Sequence, residues 1–207
     1  MAEVAAAPPV IKVVGLCGSL RKGSSNRGLL RAAAEIVRSI EGLEMEYVEI
    51  SALPFVNEDL EVNGNYPPAV EAFRLKILAA DALLFASPEY NYSVTGPLKN
   101  AIDWGSRPPN VWAEKSAAVV SASGGSRGQR SQYHLRQIGV YLDLHFINKP
   151  EFFLNVHLRP PKFDANGNLI DDSTVQQLKD VVTALYEFTL QGKMMMMNIV
   201  ELDKENE

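Results

Sequence analysis

An apolar run, Ile11 to Cys17, leads at once into Gly18-Ser19-Leu20-Arg21-Lys22-Gly23-Ser24-Ser25-Asn26, and an amphipathic helical pattern begins at Gly28. A strand, a turn of small residues and a helix start in immediate succession form an anion cradle. The first turn of a helix has backbone N–H groups without internal acceptors and the positive end of the helix dipole, so the backbone itself stabilises a phosphate there. Ser19, Ser24 and Ser25 add hydroxyl donors, and Arg21 adds a permanent charge whose fork of donors suits phosphate oxygens. The same turn also fits an ordinary N-capped helix behind a buried strand, so its meaning depends on what the rest of the chain brings beside it.

The spacing of Leu29, Leu30, Ala33, Ala34, Ile36, Val37 and Ile40 predicts a helix, and Met45 to Ile50 alternates as a short second strand. A polar excursion from Pro54 to Pro68 precedes a second helix through Val70, Phe73, Ile77 and Leu78, with proline suited to its start. Ala82 to Ala86 reads as a third strand, Gly96 to Trp104 as a short helix burying Leu98, Ile102 and Trp104, and Ser116 to Ser121 as a fourth strand. Gly124, Gly125 and Gly128 break the chain before a helix with Leu135, Ile138 and Leu142. A fifth strand lies within His145 to Leu154, and a last helix runs from about Thr174 to Met197. This alternation calls for a parallel sheet with helices on both faces. Five strands fit the α/β, flavodoxin-like three-layer sandwich of order 2-1-3-4-5, whose ligand crevice opens at the carboxyl ends of the first and third strands.

With 207 residues, 46% hydrophobic and 22% charged, the chain is expected to form one domain over 1–207, with a flexible start at 1–9 and an acidic tail at 198–207. A net charge of −5 without a basic stripe disfavours a nucleic-acid surface. No apolar stretch approaches the roughly 18 residues of a membrane span. Cys17 is the only cysteine, which rules out an intramolecular disulfide and points to a reducing, cytoplasmic setting; inside an apolar run it should pack as a small hydrophobe. His134, His145 and His157 fall outside the loops of interest and are expected to be surface or packing residues. With one cysteine they make no metal-ligand spacing. Met194 to Met197 suit adaptable packing, against a partner subunit for example.

Two more segments leave the sheet on the cradle's side. Ser87-Pro88-Glu89-Tyr90-Asn91-Tyr92-Ser93-Val94-Thr95-Gly96 follows the third strand, and Tyr90 and Tyr92 offer flat apolar surface to a planar ring. Ser121-Ala122-Ser123-Gly124-Gly125-Ser126-Arg127-Gly128 follows the fourth, and its glycines let backbone N–H groups approach a ligand closely. One loop for a phosphate, one bordering a ring and one presenting amides suit a mononucleotide with a large ring system, and flavin mononucleotide fits. A dinucleotide turn, Gly-x-Gly-x-x-Gly, is not matched by Gly15, Gly18 and Gly23.

Gly18-Ser19-Leu20-Arg21 with Ser25-Asn26, Ser87 to Asn91 followed by Gly96 to Trp104, and Ser123-Gly124-Gly125 together resemble the NADPH-dependent FMN reductase family, specifically its NAD(P)H:quinone reductase members, over roughly residues 10 to 195. The resemblance implies that Ser19, Arg21, Ser25 and Asn26 hold the FMN phosphate. It puts Pro88, Glu89, Tyr90 and Asn91 along the isoalloxazine and ribityl chain, and Ser123, Gly124 and Gly125 at the pyrimidine edge. It further implies a homodimer or homotetramer with Gly96 to Trp104 at a subunit boundary. The implied activity is two-electron, ping-pong reduction of a quinone by NADPH or NADH through bound FMN, with no side chain needed as a general acid. Free flavin, azo dyes and metal oxyanions are further possible acceptors. An electron-carrier flavodoxin is the alternative, against which the Arg21-bearing cradle weighs. The residue that reads the NADPH 2′-phosphate stays open among Arg107, Lys115, Arg127 and Arg130.

Overall fold

The computed structural model describes residues 9–205, with side chains described through 197, so the start expected to be flexible lies almost wholly outside the described residues. Strands β1 (Ile11–Cys17), β2 (Leu43–Val48), β3 (Ala82–Ala86) and β4 (Ser116–Ser123) alternate with helices α1 (Ser25–Val37), α2 (Pro68–Leu78) and α3 (Gly96–Ser106). Helix α4 (Gln129–Tyr141), the short strands β5 (His145–Phe146) and β6 (Phe153–Asn155), and helix α5 (Asp172–Glu205) complete the order. All pairings between strands are parallel, in the order β2-β1-β3-β4-β5. The flavodoxin-like topology expected from the alternation is therefore the one formed.

The two-residue period of the strands divides the core. Ala82, Leu84 and Ala86 of β3 face α1 and α5, together with Leu29, Ala33, Leu178 and Val182. Leu83 and Phe85 face the opposite side with Phe73, Ile77, Leu98, Ile102 and Leu135 of α2, α3 and α4. Central strands buried on both faces read as continuous apolar runs, which is why Ile11 to Cys17 and Ala82 to Ala86 carry so few polar residues.

The expected fifth strand is two pieces. β5 pairs with Ser116 and Ala117 at the start of β4, whereas β6 pairs with Ser121 to Ser123 at its end. Between them stands Pro150, which has no N–H to offer a ladder. Helix α5 also exceeds its expected span. Asp171 accepts from Thr174 N at 2.9 Å and from the Ser173 hydroxyl at 2.7 Å, capping the helix so that it starts at Asp172 rather than Thr174. The helix runs past Met197 to Glu205, so 198 marks no backbone break, while the side chains of the acidic tail lie outside the described ones.

Two buried cations close helix ends. Arg74 donates to the carbonyls of Trp104 at 2.8 Å, Arg107 at 2.9 Å and Pro109 at 2.8 Å, and its guanidinium lies 4.4 Å from the centroid of the Tyr66 ring. Lys115 donates to Leu78 and Ala80 carbonyls at 3.1 and 2.7 Å, and burial lowers its pKa below the ordinary lysine value. Both satisfy carbonyls that a helix C-terminus leaves without partners. Arg74→Met should cost about 2 to 4 kcal/mol, because the carbonyls it serves stay buried without a donor. Urea unfolding checks this, with the midpoint lowered and the slope unchanged.

Candidate functional site

The three loops predicted to converge do so at the carboxyl ends of β1, β3 and β4. Thr95 Oγ1 donates to the Gly18 carbonyl at 2.6 Å and accepts from Leu98 N at 3.3 Å, capping α3 while clamping it to the first loop. A Cβ on Gly18 would stand 2.3 Å from Ser87 Oγ, so only glycine allows these loops so close.

Ser24 precedes α1 in an extended conformation, makes no side-chain cap, and is followed by a first turn without an acidic residue. Among the described residues the N–H groups of Ser25, Asn26 and Arg27 have no acceptor. Ser25 and Asn26 border a cavity of about 160 Å³ lined also by Ser19, Arg21, Pro88 and Tyr90, together with Ser24, Ala122 and Val156. Arg21 is exposed and has no ion partner among the described residues. A larger groove, about 430 Å³, lies at the opposite end of the sheet between β1, β2 and α2, where Lys76 and Glu46 pair with each other. That groove has no convergent set of donors, so the smaller cavity is the better ligand site.

Several predicted residues have other work than direct lining. The Asn26 side chain is buried, donating to the Ala122 carbonyl at 2.7 Å and accepting from Ala122 N at 2.9 Å, so only its main-chain N–H remains for an anion. The Glu89 side chain is 4% exposed and faces α4, accepting from Arg130 N and Arg130 Nη1 at 3.0 Å each. Burial pushes this carboxyl up, but hydrogen bonds from Arg130 and Ser126 outweigh it and hold the group below its ordinary value. Asn91 is exposed at the tip of a tight turn closed by Tyr90 N to Ser93 O at 3.1 Å and Ser93 N to Tyr90 O at 3.0 Å. Asn91 and Tyr92 both take left-handed backbone, at φ 47° and 69°, which is costly for an aromatic residue and is held by Arg130 packing 3.9 Å from the Tyr92 ring centroid. Ser123, Gly124 and Gly125 lie at the end of β4 outside the cavity lining, and Ser123 Oγ accepts from Glu89 N at 3.3 Å.

The three histidines are exposed, as expected of surface residues, but two of them also approach the site loops. His134 Nδ1 lies 2.9 Å from Ser93 Oγ, and the His157 ring stands beside Gly124, 3.8 Å from where a Cβ would be, so two of the three touch the site loops. Sequence spacing hides this, since α4 and the segment after β6 return to the same sheet edge. Cys17 behaves as expected: it is buried, and burial pushes its thiol up, which keeps it protonated.

Sequence reasoning missed one wall. The turn at 164–168 packs behind the cradle, where a Cβ on Gly28 would meet the Gly167 carbonyl at 1.8 Å and one on Gly167 would meet the Gly23 carbonyl at 2.5 Å. Arg31 ties the same turn through Asn168 Oδ1 at 2.9 Å. The Asp164-Ala165-Asn166-Gly167-Asn168 turn signal was its one visible mark.

Fold and site define a flavodoxin-like α/β protein with an anion-suited cavity at the carboxyl edge of its sheet. The model of the NADPH-dependent FMN reductase family matches residues 11–157, and the chain belongs to that family. It is 71% identical over 189 residues to an NAD(P)H:quinone oxidoreductase of Solanum tuberosum, covering 91% of this chain and 97% of that one. It is 63% identical over 196 residues to an NADPH:quinone oxidoreductase of Arabidopsis thaliana, covering 93% and 100%. Among solved structures, the flavoenzyme NAD(P)H:(acceptor) oxidoreductase FerB of Paracoccus denitrificans superposes with a TM-score of 0.76 at 32% identity, covering 88% of this chain and 98% of that one. The cradle fits the phosphate of FMN, since it offers N–H groups and a guanidinium without partners among the described residues, serine hydroxyls, and no carboxylate in the helix's first turn.

Gly28→Ala must displace backbone, so it should lower stability by about 1 to 3 kcal/mol and weaken FMN binding with it; tighter or unchanged FMN retention would disprove the wall. Because the Glu89 pKa is lowered in the folded state, its contribution is complete above the ordinary value of 4.5 and is lost as pH falls through the lowered one. Melting temperatures between neutral and acid pH should show wild type losing more stability than Glu89→Gln, which cannot titrate.

Proposed function

We propose that this chain is an FMN-dependent NAD(P)H:quinone oxidoreductase that passes electrons to a small acceptor without a partner protein. The observation that carries this reading is the start of α1, where uncapped N–H groups share one cavity with Arg21, which has no ion partner among the described residues. The names of the potato and Arabidopsis relatives support quinone as acceptor and NADPH or NADH as donor. FMN, when bound, supplies two-electron chemistry, accepting hydride from the nicotinamide and delivering it to the acceptor.

The chain's own residues bind and orient. Ser19, Ser25, Arg21 and the Asn26 N–H hold the phosphate, and Pro88 and Tyr90 border the ring. The N–H groups of the 123–125 turn would meet the pyrimidine edge, where fixed backbone dipoles would favour negative charge without reorganising. Glu89 acts one step back, fixing the second loop against α4 through Arg130. The same reading includes ping-pong turnover, a cytoplasmic location and a homodimer or homotetramer, the last supported by the exposed Phe55, Tyr92 and Tyr133 side chains. No helix among the described residues is long and apolar enough to cross a membrane.

Arg21→Ala should weaken FMN retention by roughly 1.5 to 3 kcal/mol, the worth of a charge-assisted phosphate contact. Fluorescence titration of FMN into the apoprotein measures it, and unchanged affinity removes Arg21 from the site. A steady-state panel on FMN-loaded protein tests the activity. Parallel-line kinetics with NADPH and a quinone are expected; a yellow protein inert to both nicotinamides overturns the proposal.

A further inference from the structure

Four cations were open as readers of the 2′-phosphate that separates NADPH from NADH, and the structure commits three of them elsewhere. Arg107 is bound by Glu61, Nε to Oε1 at 2.6 Å and Nη2 to Oε2 at 3.0 Å, and by Glu58 at 3.3 Å. The Lys115 ammonium is engaged with the carbonyls at the end of α2. Arg130 pairs with the buried Glu89 carboxylate and packs on Tyr92. We infer that Arg127, in the third site loop, is the residue that selects a 2′-phosphorylated nucleotide, an assignment that rests on the NAD(P)H-dependent reading above.

Arg127 is exposed and has no ion partner among the described residues. Its backbone is fixed while its side chain is free: Arg127 N donates to the Gly124 carbonyl at 2.9 Å, and its own carbonyl accepts from Ser121 Oγ at 2.6 Å. Gln132 Nε2 donates to the same Ser121 hydroxyl at 2.8 Å and to the Phe152 carbonyl at 2.8 Å, so the loop is anchored in buried polar groups of β4 and α4. Left-handed backbone at φ 56° is unusual for arginine and follows from this anchoring. The result is an exposed guanidinium on an anchored loop beyond β4, with no side-chain acceptor among the described residues. Phosphate monoesters are bound best by such a planar fork, which meets two oxygens at once.

Two other exposed cations near this edge lack ion partners, and neither matches as well. Lys22 offers a point charge without the fork, and Arg159 lies beyond the end of β6, outside the three loops. Arg21 lines the phosphate cavity itself.

Calorimetric titration of adenosine 2′,5′-bisphosphate and of AMP into FMN-loaded protein tests the assignment by binding alone. Wild type should hold the bisphosphate at least about tenfold tighter, the scale of one charge-assisted pair. Arg127→Gln should close that gap with little change for AMP, and Arg127→Lys should keep part of it. A gap that survives Arg127→Gln, a gap removed by Lys22→Gln or Arg159→Gln instead, or no gap in wild type overturns the inference. FMN loading and NADH-driven quinone reduction by wild type test the functional reading separately, since neither involves a 2′-phosphate.

Discussion

The paired hydrogen bond between the Asn26 side chain and the Ala122 main chain is the constraint on which the site depends. It holds the first turn of α1 against the end of β4, where no ladder bond could reach, and so sets where the partnerless N–H groups point. A side-chain amide mimics a neighbouring strand here, giving one donor and one acceptor to a single residue. Both partners are buried, so neither can exchange this bond for water, and the unmade bond would cost more than the formed one contributes. The other two loops are then referenced to the same point. Thr95 fixes the second loop to Gly18, and Ser121, with Gln132, fixes the third.

How legible these features were follows from how local their causes are. The strand, turn and helix from Ile11 to Val37 could be read because apolar period and small residues act over a few positions. Period-two alternation in β2 and helical spacing in α1 likewise carry their own direction. The roles of Asn26 and Glu89 could not be read, since their partners stand 96 and 41 residues away and polar side chains look alike whether they meet a ligand or a backbone. The same applies to His134 and His157, whose approach to the loops depends on how α4 and β6 return to the sheet edge. The split of the fifth strand did leave a mark, in Pro150, but which half would pair with β4 depends on register.

Arg74 and Lys115 show a different use of charge. Each is buried, forms no ion pair among the described residues, and is compensated by carbonyl dipoles at a helix end. Such a cation gathers several chain segments at once: Arg74 binds the end of α3 and the turn beyond it to α2, and the position of α3 decides that of Thr95 at its other end. Support of the second loop thus begins far from it, on the helix's opposite terminus.

The close packing of Gly28 on Gly167 ties the segment matched by the family model to a turn that lies beyond it. The family pattern closes at residue 157, before the turn at 164–168 that backs the cradle. A fragment cut at that limit would retain every loop that faces the ligand and lose the surface that keeps α1 from sliding away from β4. Boundaries drawn from that family model alone would cut this protein directly behind its candidate site, although the potato relative aligns over 91% of the chain and so shares the turn.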